Sequence, residues 1–255
     1  MEYFVEKDSV VRKIWGKGDT ILFIFAGASA EFALNKAVDW LYFTGKLPAD
    51  PLGRLFSTIT YAREIVFSKK EKAHKAIDKI TAIHSAVETN RGSKIPDWAY
   101  RDVLFMLIHY SIAAFELLEK KLTDKEKEDV YDVFYRFGKR MNLPGLLLNF
   151  KDWEIMRNEH LNNDLEESPY TIDLYKQYKK HLGSIRFKIL LGSQILVVPK
   201  KVNKLLELGT ISILKPLLFI YKLIRKLGIE WFIKSLILPD KYKREIRDLD
   251  VSTEY

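Results

Sequence analysis

Apolar residues recur every three to four positions along most of this chain, the spacing of helices with one face turned inward. In KAIDKITAIHSAVE, residues 75–88, Ile77, Ile80, His84 and Val87 fall at i, i+3, i+7 and i+10, so one helix face carries all four toward a core. ADPLGRLFSTITYAREIVF predicts another helix, with Asp50 as its N-cap and Pro51 at the first helical position. IPDWAYRDVLFMLIHYSIAAFELLEKK predicts a third, starting near Pro96 and Asp97. Its middle is apolar almost all round, as in a helix buried at the centre of a protein. TDKEKEDVYDVFYRFGKR opens with Thr123 and Glu126 at capping-box spacing and turns Val130, Val133, Phe134 and Phe137 inward. Asn142 to Gly145 breaks the pattern as a loop. ILFIFAGA, residues 21–28, has the branched residues of a short strand. It runs without a turn signal into SAEFALNKAVDWLYF, so a long helix is the expectation. With no fixed-period repeat and few alternating stretches, the pattern predicts an all-α fold.

Composition adds constraints. At 255 residues, 47% hydrophobic and 30% charged, the chain has the make-up of one large globular domain. It has no cysteine, which removes disulfides, thiolate metal sites and a cysteine nucleophile and fits a reducing compartment. The N-terminal MEYFVEKDSVVRKIWG lacks the pattern of a signal peptide. The longest apolar stretch, Val103 to Phe115, is too short to span a bilayer. The expected location is therefore cytoplasmic.

Three predicted helices hold polar groups where apolar ones are expected. Arg54 and Thr58, four apart, share a face; His84 lies on the inner face of the next helix; His109 sits in the most apolar helix, with Phe105 and Ala113 a turn to either side. Buried without partners, such groups cost several kcal/mol each. They find partners locally, His109 on a backbone carbonyl and Arg54 on an acid such as Asp39, or they share a cofactor between helices. The chain has no H-E-x-x-H, no repeated E-x-x-H, no G-x-G-x-x-G and no P-loop pattern, and Glu159 and His160 are adjacent and face apart. One imidazole, an arginine for an acidic group and apolar walls suit haem, with the histidine on iron and the arginine on propionates.

The order of features resembles the MpaB and latex-clearing protein (rubber oxygenase) family. The matching parts are Trp15 to Leu34, Asp50 to Phe67, Ala82 to Val87, Phe105 to Ile112 and Met141 to Leu147, within residues 10–165. The resemblance implies an all-α domain with a globin-like pocket for one b-type haem. It makes His84 the axial iron ligand, Arg54 and Thr58 the catalytic pair beside the haem, and His109 a supporting histidine. It implies dioxygen as co-substrate and an apolar, isoprenoid or lipid, substrate cleaved at a carbon–carbon double bond. The chain departs from the pattern in four places. Asn35-Lys36 stands where the family carries His-Pro, Ser57 where rubber-cleaving members have lysine, and Thr89 where they have a further histidine. Their catalytic acid has only Asp39 and Glu31 as nearby counterparts. Haem binding is thus better supported than rubber cleavage. A non-catalytic helical protein that binds haem or lipid at a membrane surface is the alternative.

We expect one domain over 1–255: an oxygenase-like helical core over 10–182, with basic amphipathic helices over 183–255 packed on it. The net charge of +8 resides in that second part. Ten Lys or Arg against two acids, Glu207 and Glu230, fall between Ile185 and Leu238, in short helices punctuated by Pro199, Gly209, Pro216, Gly228 and Pro239. These helices close the core with lysines snorkelling to water, or they anchor the protein peripherally on an anionic membrane, with Trp231, Phe232 and leucines opposite the lysines. Nucleic-acid binding is disfavoured, because no recognised fold signature accompanies the charge.

Overall fold

A computed structural model describes residues 2–226. Among the described residues there are twelve helices: α1 (Val10–Trp15), α2 (Gly18–Leu34), α3 (Asp39–Phe43), α4 (Lys46–Ala49), α5 (Pro51–Phe67), α6 (Lys70–Arg91), α7 (Asp97–Leu118), α8 (Asp124–Arg140), α9 (Phe150–Asn163), α10 (Pro169–Val197), α11 (Lys200–Leu205) and α12 (Leu214–Lys226). No strand occurs among them; Tyr3–Lys69 and Asn35–Leu165 form isolated bridges. The fold is all-α.

Local chemistry fixes the helix ends. The Asp50 carboxylate accepts from the Gly53 amide at 3.0 Å and Pro51 opens α5. Thr123 and Glu126 form a capping box on α8, each side chain accepting the other's backbone N–H. α6 stops at Gly92, whose φ of 70° is the left-handed cap that glycine adopts most readily. ILFIFAGA is helical, inside α2.

The centre of the molecule is the pair α2 and α7. Ile21, Ile24, Ala30, Ala33 and Leu34 on α2, and Leu104, Phe105, Ile108 and Ala114 on α7, are all buried. The two helices meet closely at Gly27. A Cβ there would lie 2.2 Å from Cδ1 of Tyr110, so the missing side chain is what lets the phenol ring lie on the α2 backbone. α10 covers another side of α2: Thr171 Oγ1 donates to the Ala33 carbonyl at 2.7 Å, and Gln194 Nε2 to Ser29 Oγ at 3.2 Å.

The basic segment begins differently from its expected run of short helices. α10 continues through residues 182 and 183 to Val197, broken only at Gly183 (φ 73°, ψ 168°). α12 then returns to the start of α2. Tyr221 Oη donates to Asp19 Oδ2 at 3.0 Å, Arg225 Nε lies 2.9 Å from the same oxygen, and Arg225 Nη2 reaches Glu119 Oε1 at 2.6 Å. The expected features at Gly228, Trp231, Phe232, Lys234 and Pro239 lie outside the described residues. No helix among the described residues is long and apolar enough to cross a membrane.

Candidate functional site

A cavity of about 1020 Å³ lies between α2, α5, α6, α7, α10 and α12. Its walls are mainly Leu, Ile, Val, Phe and Met, among them Leu22, Phe32, Leu55, Val103, Met106 and Leu190. The space is at the upper end of what ligand sites occupy.

α5 and α6 bring Arg54, Thr58 and His84 to this cavity. The Arg54 guanidinium donates from Nη1 to Thr58 Oγ1 at 3.1 Å, and that hydroxyl donates to the Arg54 carbonyl one turn back, also at 3.1 Å. No carboxylate among the described residues pairs with Arg54. Asp39, the acid expected from sequence, is taken by Arg91 at 2.5 Å, whose guanidinium also lies over the Trp40 ring. On α6, Ile77 is buried in packed core, whereas Ile80, His84 and Val87 border the cavity. The face that carries the imidazole therefore looks onto space. His84 packs edge-on against Tyr100, with ring centroids 5.2 Å apart. Its Nδ1 is buried with no hydrogen-bond partner among the described residues. Burial, and then the Arg54 charge, lower its pKa, with Glu88 opposing. The ring is thus neutral near pH 7, with a lone pair to offer.

His109 is not brought to this group. It faces away from the cavity lining, edge-on to Tyr110 and within hydrogen-bonding reach of the Val197 carbonyl. Burial, reinforced by Arg157, pushes its pKa down to about 4. A backbone carbonyl, the kind of partner that the sequence left open, serves it here.

Beyond His109 lies a buried polar cluster that the sequence reading missed. Glu31 accepts from both Nη atoms of Arg157 at 2.5 Å, from Tyr110 Oη at 2.8 Å, and meets His160 Nε2 at 2.9 Å. His160 Nδ1 lies 2.7 Å from Asp102 Oδ1 and 3.5 Å from Asp164 Oδ2. Asn35 Nδ2 donates to Asp102 at 2.9 Å, while its own oxygen caps the Ala37 amide. Burial alone would raise the pKa of Glu31, but Arg157 and His160 hold it well below the usual carboxylate range. Burial disfavours charge on His160 as well, yet Asp102 and Glu31 push it up to about 9. Glu31 is fully engaged here and does not line the cavity, so its carboxylate is not presented to a substrate there. The missed signal was the i, i+3 pair Arg157 and His160 in RNEH, together with an acid inside the apolar run of α2.

Two arrangements can hold a metal or cofactor. Asp102, His160 and Asp164 present ligand atoms within 4.8 Å of one another. The 2.7 Å contact of His160 with Asp102 is an ion-pair distance, shorter than the roughly 3.4 Å between tetrahedral ligands at about 2.1 Å from an ion, whereas Asp164 already stands 3.5 Å from the imidazole. An ion would have to replace the His160 proton and spread the pair. The cavity offers the other arrangement. An orphaned imidazole nitrogen, a guanidinium lacking a carboxylate and apolar walls are the donor set that a flat anionic macrocycle such as haem requires, so the residues present fit it.

Fold and site together define a helical domain with a large apolar ligand chamber and a histidine–arginine pair set into its wall. Residues 13–232 match the family described as ER-bound oxygenase mpaB/B'/Rubber oxygenase, catalytic domain. The chain belongs to that family of oxygenase catalytic domains. No curated protein and no solved structure matches it.

Proposed function

We propose that the protein is a b-type haem-dependent oxygenase that uses dioxygen on an apolar, isoprenoid or lipid, substrate. The observation that supports this most is the pairing, on one apolar cavity, of His84 with a partnerless Nδ1 and Arg54 with no carboxylate. His84 would hold the iron as a neutral imidazole. Arg54, steadied by Thr58, would receive a propionate. The haem, when bound, supplies the activation of dioxygen. The chain's own residues do the rest. Apolar walls exclude water and align an extended hydrocarbon. Burial, and then the Arg54 charge, favour the unprotonated His84 ring. His109, off the cavity lining, would support the site only indirectly, through its contact with the Tyr110 ring that lies on the α2 backbone.

The absorption spectrum of the purified, haem-supplemented protein tests this. A Soret band is expected, abolished or strongly shifted in His84→Ala and unchanged in His74→Ala. His74 is the control because it lies on the same helix but is not part of the cavity lining, packing behind the lining residue Phe4. No band in the wild type, or the same band in both variants, removes the reading.

A specific observation favours the second reading, a non-catalytic haem or lipid binder. Ser57 occupies the position beside Thr58, and Asp19, the one carboxylate on the cavity lining among the described residues, is engaged by Arg225 and Tyr221. Oxygen consumption with an isoprenoid substrate separates the two: a haem-loaded protein that consumes none is the binder.

A further inference from the structure

Helix α12 has three faces. Leu214, Leu217, Leu218, Ile220, Tyr221 and Ile224 line the cavity, Leu217 and Ile220 being half exposed as well. Phe219 and Leu223, one turn apart, point outward and are 68% and 47% exposed. Lys215 and Lys222, seven residues apart, share a third face between these two. The turn before the helix extends the outer face. Ser212 is buried and pinned, donating to the Gly192 carbonyl at 2.8 Å and capping the Leu214 amide at 3.1 Å. Its neighbours Ile211 and Ile213 are thereby turned out, 84% and 61% exposed. Tyr221 and Arg225 fix the helix from its inner side, so the outer residues are presented on a held element.

An exposed ridge of Ile, Phe and Leu is disfavoured in water and marks an interaction surface. The charge beside it indicates the partner. Between residues 185 and 226, Glu207 is the one acid among nine Lys or Arg. A second copy on this face would bring lysine against lysine. An anionic lipid surface satisfies both faces at once, with lysines at the headgroups and the apolar ridge in the acyl boundary. The cavity lies directly behind the same helix.

We propose that the outer face of α12, with the 211–213 turn, seats in an anionic lipid bilayer. This names the surface through which the oxygenase reading would draw its apolar substrate. The seating itself does not require haem, so vesicle binding reads one proposal and the Soret band reads the other.

The test uses the full chain with phosphatidylcholine vesicles, with and without phosphatidylserine, in a flotation assay. The wild type should float with the phosphatidylserine vesicles and lose binding as salt rises. Phe219→Glu should lower the partition coefficient by about tenfold or more. Lys215→Glu/Lys222→Glu should lower it and flatten its salt dependence. All three side chains are outside the packed core, so unchanged thermal melts are expected and verify folding. A second readout exploits the absence of native cysteine. An environment-sensitive dye on Phe219→Cys should blue-shift with phosphatidylserine vesicles, and one on Lys125→Cys, on α8, should not. Undiminished binding of Phe219→Glu, or no spectral change at position 219, overturns the proposal. So does a wild-type dimer that Phe219→Glu dissolves, which would make a second copy the occupant.

Discussion

The Glu31 carboxylate meets the Arg157 guanidinium through two parallel hydrogen bonds of 2.5 Å, with both side chains buried between α2 and α9. Bidentate geometry is the strongest form of this pair, and burial makes each partner dependent on the other. Arg157→Met would leave a buried carboxylate with His160 and Tyr110 alone. The expected loss is about 3–5 kcal/mol in urea unfolding at pH 7. Glu31→Gln/Arg157→Met should lose less than the two single variants added. A single-variant loss below about 1 kcal/mol would show the pair to be solvated, against the structure.

The two buried histidines of this region should shape stability against pH in opposite senses. His160 has its pKa raised from 6.5 to about 9 in the fold, so its contribution is complete below 6.5 and fades as pH rises toward 9. His109 has its pKa lowered from 6.5 to about 4, so its contribution is complete above 6.5 and fades as pH falls toward 4. Considering these two groups, stability should peak near pH 6.5. His160→Gln should flatten the alkaline limb and His109→Gln the acid limb, read as the midpoint of urea unfolding across pH. The opposite assignment of limbs would contradict the placements of the two rings.

Much of the fold was readable from periodicity and caps, because those signals are local. Asp50 with Pro51, Thr123 with Glu126 and the all-round apolar run of α7 each act within a few residues. The candidate site was half readable. Arg54, Thr58 and His84 declared themselves as polar groups on apolar faces, and they do share one cavity. His109 gave the same signal for a different reason, since its partner is a carbonyl 88 residues along, on Val197. The Glu31 cluster was missed because its members come from three separated segments, around α2, α7 and α9, and only folding makes Arg157 and His160 neighbours of an acid on α2. Nor could sequence alone show that the His84 face borders space, because a cavity and a core demand the same apolar residues.

Gly27 should be intolerant of any side chain. Its Cβ would stand 2.2 Å from Cδ1 of a ring that is itself fixed by the Tyr110 hydrogen bond to Glu31. Gly27→Ala should destabilise by about 1–3 kcal/mol or more, as overpacking of a rigid core does. In a Tyr110→Leu background the same substitution should cost clearly less, because the obstructing ring is gone. Equal cost in both backgrounds, measured by thermal unfolding, would mean that α2 and α7 do not meet through this contact.

Thr58 should matter through Arg54. Among the described residues, its hydroxyl accepts the one hydrogen bond that guanidinium donates. Thr58→Val keeps the shape and removes the acceptor. Haem titration should show affinity weakened about two- to tenfold, the equivalent of a hydrogen bond of about 0.5–1.5 kcal/mol. Arg54→Leu should weaken it further. Arg54→Lys should not restore it, because an ammonium lacks the planar fork. Unchanged affinity in Thr58→Val and Arg54→Leu alike would place haem elsewhere or nowhere.

Arg225 should act as the latch of α12 on the cavity. Its guanidinium joins Asp19, near the start of α2, to Glu119, at the end of α7, and both the arginine and Asp19 are largely shielded from water. Burial disfavours its charge, but Asp19 and Glu119 more than restore it and raise its pKa. Arg225→Ala leaves Asp19 with the Tyr221 hydroxyl and its local backbone contact at Thr20. The cost falls on α12 first, since this helix has few other polar ties to the body. Amide exchange over 214–226 should accelerate roughly thirtyfold, for about 2 kcal/mol of lost docking. Amides of α8, remote from the latch, should keep their rates. If α12 exchanges as in the wild type, its apolar inner face alone holds it, and the ion pairs would then set only its register on the cavity.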